Sequence, residues 1–356
     1  MGNHTRDPCN LLPPDFAYQQ RTVIIIIGNT RGNITAGTGT LFCTMERKQL
    51  IPEAFIYFIV IPLLFMAEKM QGQDLDPRAY VWIPVNVTVA FAGFGYSHGG
   101  IITDATLPLK DLDATIGAPS LGVVRSFGLL GKTSQVSVAL PYAWGEASAT
   151  IQGIRQSTTR SGISDMRLRF SWLLLGAPAA SMGEIGKSPR KTILGSSLNI
   201  IVPTGQYFPE KLINLGTSRW SFKPELAISQ PVGKRWMIDI YSGLWVFTKN
   251  DSFYPGSSVR KQDPLGSFQG HISYNIQPML WVALDWTYYT GGRSSVDGVK
   301  MNDRQSNSRI GATLVLPVKK RHSIKFAYST GAIIRSGADF TSVSAGWQTT
   351  FLGKPE

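Results

Sequence analysis

Cysteine is nearly absent from this 356-residue chain: Cys9 and Cys43 are the two it has, and both lie in the first 44 residues. Downstream of them no disulfide, thiolate metal site or cysteine nucleophile can form. Histidine is almost as scarce. His4, His98, His271 and His322 stand far apart, with no pair at the short spacing a metal site uses. There is no GxSxG elbow. The glycine pairs Gly99-Gly100 and Gly291-Gly292 are not followed by the Lys-Ser/Thr of a phosphate cradle. No cofactor is therefore expected. Long apolar runs are missing too: the longest, Ala54 to Ala67, has 14 residues, whereas a helical span needs roughly 20. What remains is 43% hydrophobic with a mean hydropathy near zero, which excludes a disordered chain and a helical membrane bundle.

The 14-residue run has another use. It follows Met45-Glu46-Arg47-Lys48, and a short basic patch before such a run is a secretory signal. The competing reading is a buried core helix. Cleavage after Gly72 leaves a mature chain beginning Gln73-Asp74-Leu75; Ala67 is a poorer site because the bulky Phe65 stands at −3. Residues 1–44 then lie upstream of a normal signal, and Met45 reads as the true start. The expected organisation is an upstream extension (1–44), a signal peptide (45–72) and one barrel domain (73–356). The net charge is +12, and +11 without residues 1–72. The basic residues are spread over turns and strands, so nucleic acid is not the expected partner. Anionic headgroups, or a lumen that passes anions, explain them more simply.

Arg219 to Ser229 reads RWSFKPELAIS, and its alternate residues suit two solvents. Arg219, Ser221, Lys223, Glu225, Ala227 and Ser229 form one set; Trp220, Phe222, Pro224, Leu226 and Ile228 form the other. Side chains in a strand alternate faces, so one face is charged and the other apolar. The same alternation recurs along the chain. It predicts twelve strands, near 84–96, 114–128, 134–150, 163–176, 192–204, 219–231, 235–248, 265–277, 280–291, 306–317, 322–334 and 341–352. Tight links such as PVGKR and PVKKR alternate with long polar ones at 97–113, 151–162, 205–218, 249–264 and 292–305. Short periplasmic turns and longer external loops belong to an antiparallel up-and-down transmembrane β-barrel, an all-β fold of the bacterial outer membrane. The link 177–191 is long where a short turn belongs, which suggests a small helix there. Leu121 to Val124 has no clear parity and stays unassigned.

An Arg or Lys facing lipid at mid-bilayer costs about 2–4 kcal/mol. Arg167, Arg169, Lys223, Arg309 and Lys325 must therefore look inward, with Asp165, Glu225, Asp239 and Asp285 available to pair with them. Arg219 and His271 fall on the same inner face. These eleven residues are the candidate lining of a solute pathway. Trp82, Tyr142, Trp144, Trp172, Trp220, Trp236, Trp245, Trp281 and Trp347 read as an interfacial girdle or outer face.

At these strands the chain resembles a known family. DLDPRAYVWIPVN, LPYAW at 140–144, RWSFKPELAIS at 219–229, YYTGGRSSVDG at 288–298 and SNSRIGATLVLP at 306–317 are similar to strings of the outer-membrane transporter family described as MetA-pathway of phenol degradation. The resemblance covers almost all of residues 73–352. It implies uptake linked to aromatic breakdown. One departure is the chain end, where Phe351 is followed by LGKPE.

The function expected is passive or facilitated passage of a small solute, aromatic or hydrophobic compounds included, through a narrow, charge-lined lumen. A loop or the segment 73–83 is a candidate to block it. The partners are membrane lipids, the solute and the outer-membrane insertion machinery. Two other readings stand beside it: a non-transporting structural or adhesive barrel whose lumen charges are struts, and a lipase-like barrel enzyme. The last fits badly, because such a Ser-His pair works at the lipid-facing side and His271 faces inward.

Overall fold

The computed structural model describes residues 75–102, 109–151 and 153–352; the expected extension and signal peptide lie outside the described residues. The strands are β1 (Val87–Ile102), β2 (Leu109–Leu129), β3 (Lys132–Ile151), β4 (Ile154–Ile163), β5 (Met166–Leu175), β6 (Ile193–Val202), β7 (Ser221–Val232), β8 (Trp236–Phe247) and β9 (Asn250–Phe253). They continue with β10 (Ser258–Gln262), β11 (Leu265–Gln277), β12 (Leu280–Gly291), β13 (Ser294–Val296), β14 (Val299–Lys300), β15 (Gln305–Lys319), β16 (His322–Ile333) and β17 (Gly337–Leu352). Twelve of them form the wall. Antiparallel pairing runs from β1 through β2, β3, β5, β6, β7, β8, β11, β12, β15, β16 and β17, and β17 pairs back onto β1. These are the twelve strands the alternation predicts. Closure leaves no edge, which a bilayer demands because lipid cannot satisfy a free N–H or C=O.

The two faces separate as the alternation requires. On β7, Lys223 and Glu225 are buried inside, while Leu226 is 60% exposed outside. On β12, Asp285 is buried and Leu284 is 69% exposed. Large apolar side chains exposed all round a closed wall mark a surface made for lipid. The wall is that of a transmembrane β-barrel. Leu121 and Val123, which lack a sequence parity, point outward, and Val124 lines the interior.

At one end the connections are tight. Leu130 (φ 50°) and Gly131 (φ 72°) join β2 to β3 in two residues, the left-handed pair such hairpins need. The long 177–191 link carries the expected helix, α1 (Met182–Lys187). Ser181 caps it: its N–H donates to Glu184 Oε2 at 2.7 Å. That N–H and the Ser181 hydroxyl hold the Glu184 carboxyl below its usual range.

At the other end the structure corrects the expected loops. Residues 97–102 and 109–113 extend β1 and β2 instead of forming an irregular loop. The link 151–162 is mostly β4, which pairs with the outer half of β3, Tyr142 to Ile151. The inner half of β3, Ser134 to Ala139, pairs with β5. β4 and β5 are thus two parts of one wall strand, broken at Ser164 and Asp165. The polarity of IRQSTTRSGI reflects height above the bilayer, not loop structure. The links 249–264 and 292–305 hold β9, β10, β13 and β14, which form a separate small sheet.

Candidate functional site

The wall delivers its polar residues to the interior at fixed heights. β7 presents Lys223 and Glu225 one rung apart, and Lys223 Nζ lies 2.7 Å from Glu225 Oε2. Register aligns His271 of β11 with Asp239 of β8 on one side and Asp285 of β12 on the other. His271 Nδ1 lies 2.8 Å from Asp285 Oδ1, and Thr313 donates its hydroxyl to Asp285 Oδ2 at 2.8 Å. These groups are almost wholly removed from solvent, so each ion needs its partner.

A segment outside the wall completes this network. Residues 75–86 precede β1 and run into the interior. Asp76 accepts from Lys325 Nζ at 2.7 Å and lies 3.6 Å from Arg169 Nη1. Arg78 donates its N–H to Asp239 Oδ2 at 3.3 Å and its guanidinium to Asn275 at 2.8 Å. The same guanidinium sits 4.3 Å from the centre of the Trp281 ring. Tyr80 is fully buried; its hydroxyl donates to Glu225 Oε1 at 2.8 Å and lies 2.7 Å from Ser197 Oγ. Its ring meets Tyr241 edge-on at 5.0 Å and packs with Leu173, Ile193 and Ala227. Gly195 makes room for it, since a Cβ there would come within 2.5 Å of the ring. The string DLDPRAYVW showed charges and aromatics, but its partners lie far along the chain.

The sequence-derived lining residues therefore divide. Arg169, Lys223, Glu225 and Lys325 come together around Asp76 and Tyr80. Asp239, His271 and Asp285 form the second cluster. Arg167 opens onto the interior with no partner among the described residues. Among the described residues Asp165 forms no salt bridge, although Arg219 lies near enough to interact with it electrostatically. Asp165 accepts from the N–H groups of Gly205 and Thr217, both at 2.9 Å, and so fastens the 203–220 link. Arg219 donates to Gln262 at 2.5 Å and lies over Phe247. Arg309 is 1% exposed and donates to the Phe340 carbonyl. Of the residues read as girdle, Trp245 and Trp281 instead face the interior, where Lys223 and Arg78 lie over their rings. Trp82 belongs to the N-terminal segment and donates to the Pro178 carbonyl at 2.8 Å.

Inside the wall lies a cavity of about 910 Å³, lined by residues from all twelve wall strands and by residues 75–79, Val81 and Ile83. Its charged lining is unbalanced. Arg78, Arg167, Arg169, Lys223 and Lys325 are cationic; Asp76 and Glu225 are anionic. Phe91, Tyr241, Trp245, Trp281 and Tyr289 supply aromatic surface. What this arrangement offers is a closed wall around a cationic, partly apolar chamber, with a peptide segment lodged in it.

An outer-membrane channel from Pseudomonas putida F1 has the same fold: 20% identity, TM-score 0.67, covering 78% of this chain and 100% of that one. The transport unit of the Escherichia coli autotransporter AIDA-I superposes more loosely, with 9% identity, TM-score 0.46, and 83% of this chain against 97% of its own. The β domain of the Bordetella autotransporter BrkA gives 14%, 0.45, 75% and 100%. No curated protein matches. The model of one family, MetA-pathway of phenol degradation, matches residues 91–336, more than half of the sequence, and the chain belongs to that family.

Proposed function

We propose that this outer-membrane barrel is a channel that lets a small solute pass by passive or facilitated diffusion. The observation that carries this reading is the chamber lined by every wall strand. Twelve strands stand between the roughly 8 whose interior side chains fill and the 16–18 that leave a wide pore. A narrow passage with fixed charge selects by local counter-ion population. The excess of cationic lining favours anions. The five aromatic rings favour a solute with an apolar body, in keeping with the family's description. Asp165, Arg219 and Arg309 serve this reading as fasteners of the wall and external links, and Arg167, Arg169, Lys223 and Lys325 as the route.

A structural barrel is the second reading. It is favoured by the paired charges around Tyr80, which tie the segment to β5, β7 and β16. Conductance of the protein in planar bilayers separates the two. Discrete channel openings with anion-biased reversal potentials under a salt gradient are expected. A silent barrel that loses stability when its lumen charges are changed would return the protein to the structural reading.

A further inference from the structure

Asp76 is a carboxylate brought into the chamber by a segment that is not part of its wall. One of its oxygens takes Lys325 from β16, and the other faces Arg169 from β5. The side chain is 56% exposed, so it shares this position with water and does not fill it. Arg169 keeps Nε and Nη2 without hydrogen-bond partners although they are buried; Glu225 Oε1 faces Nη2 at 3.7 Å, beyond hydrogen-bond distance. Arg167 stands two residues along on the same face, with no partner among the described residues. Arg169 thus keeps donors to spare, Arg167 stands exposed to the chamber, and a carboxylate is the acceptor a guanidinium fits best.

We propose that the chamber binds small organic carboxylates, and that Asp76 is the built-in competitor that occupies their site. The entering carboxylate takes Arg167 and Arg169 and displaces Asp76 from Lys325. Its apolar body lies against Phe91 and Trp245. This rests on reading the lumen as a solute route and names the solute class for it. Detergent-solubilised protein extracted from outer membranes is titrated with benzoate and with its neutral counterpart benzamide, followed by tryptophan fluorescence. Benzoate should bind saturably and benzamide about tenfold more weakly, a difference of about 1.4 kcal/mol. Asp76→Asn should tighten benzoate several-fold, and Arg167→Gln, at a position with no partner to lose, should weaken it several-fold. Equal affinity for the two probes overturns the proposal. So does benzoate binding that neither variant changes. No membrane is crossed in this measurement: channel openings without benzoate binding would overturn this site alone, and benzoate binding in a silent barrel would overturn the channel alone.

A second, independent observation concerns the outside of the barrel. The tight-turn end carries Lys187 at the end of α1, Arg190 and Lys191 after it, Lys234 and Arg235 before β8, and Lys319, Lys320 and Arg321 before β16, all exposed. Glu184 is the acidic residue among these connections. The opposite end mixes signs: Lys249 lies 3.0 Å from Asp251, and Asp263, Asp297 and Asp303 stand among the basic residues. The basic side chains lie at the outward aromatic belt. Arg235 donates to the Tyr274 hydroxyl at 2.9 Å, and Arg190 reaches the carbonyls of Lys234 and Trp236. Outward tryptophan and tyrosine sit at headgroup depth, so the cations beside them do too. We infer that this collar binds anionic phospholipid headgroups of the periplasmic leaflet. Native mass spectrometry of protein in micelles with equal phosphatidylglycerol and phosphatidylcholine should show phosphatidylglycerol retained several-fold over its neutral companion. The triple change Lys319→Gln, Lys320→Gln and Arg321→Gln should reduce that preference. Absence of preference in the wild type overturns the inference. Capture of poly-glutamate without lipid preference also does, and would assign the collar to a soluble acidic partner.

Discussion

The two sides of the lumen are built on opposite plans. Against β6, β7, β8, β11 and β12 the interior is filled: Tyr80 packs on Ala227, and the Asp239, His271 and Asp285 rung is buried. Against β1, β2 and β3 the lining is short or apolar, with Val89, Phe91, Val124, Gln135, Ser137 and Ala139 facing the chamber. One side holds the barrel together through matched charges and the N-terminal segment. The other leaves space. The contrast shows that strand number alone does not set bore; the side chains and the inserted segment do.

The strongest way to break this contrast is Tyr80→Ala. Removing a fully buried ring that also hydrogen-bonds should cost about 3 kcal/mol or more in urea unfolding of the reconstituted barrel. Phe91→Ala, on the open side, should cost about 1 kcal/mol, because no new void is created beside an existing one. Equal losses would mean that the two sides are packed alike. Gly195→Ala comes next: its Cβ would meet the Tyr80 ring, so overpacking of about 1–3 kcal/mol is expected, with raised conductance as the segment is pushed aside. Arg309→Ser should be a stability change, since its arginine is buried on the Phe340 carbonyl. Arg167→Ser should alter melting by less than about 0.5 kcal/mol yet move the reversal potential towards cations. If the two arginines exchange these outcomes, the division of the lining into fasteners and route is wrong.

The same contrast explains what the sequence made legible. On β7 the inner residues are charged and the outer ones apolar, so the facing was readable from RWSFKPELAIS. On β2 the inner pair Gly122 and Val124 is as apolar as the outer pair Leu121 and Val123. No parity exists there because, among the described residues, the chamber lining of β1 to β3 carries no charged side chain. Trp245 and Trp281 were misread for a related reason: a tryptophan near a strand end suits a membrane interface, and also suits a lumen that supplies a cation for its ring. β4 escaped because its residues stand above the bilayer, where an outward face is polar. Asp165 reads as inward-facing, but its partners are two backbone N–H groups and the Thr217 hydroxyl of a distant link, and neither kind of neutral donor leaves a mark in a charge pattern.

The N-terminal segment has a consequence for the order of folding. Asp76 and Lys325 are 249 residues apart, and Arg78 and Asp239 are 161 apart. Contacts so remote in sequence close large loops, and they can form only once most of the wall is in place. They therefore belong after the transition state and act chiefly on escape from the native state. Stopped-flow refolding of Tyr80→Ala into lipid vesicles should keep nearly the wild-type folding rate, with the lost stability appearing as faster unfolding. The segment that enters the finished barrel would then be a kinetic lock on a wall that assembles without it.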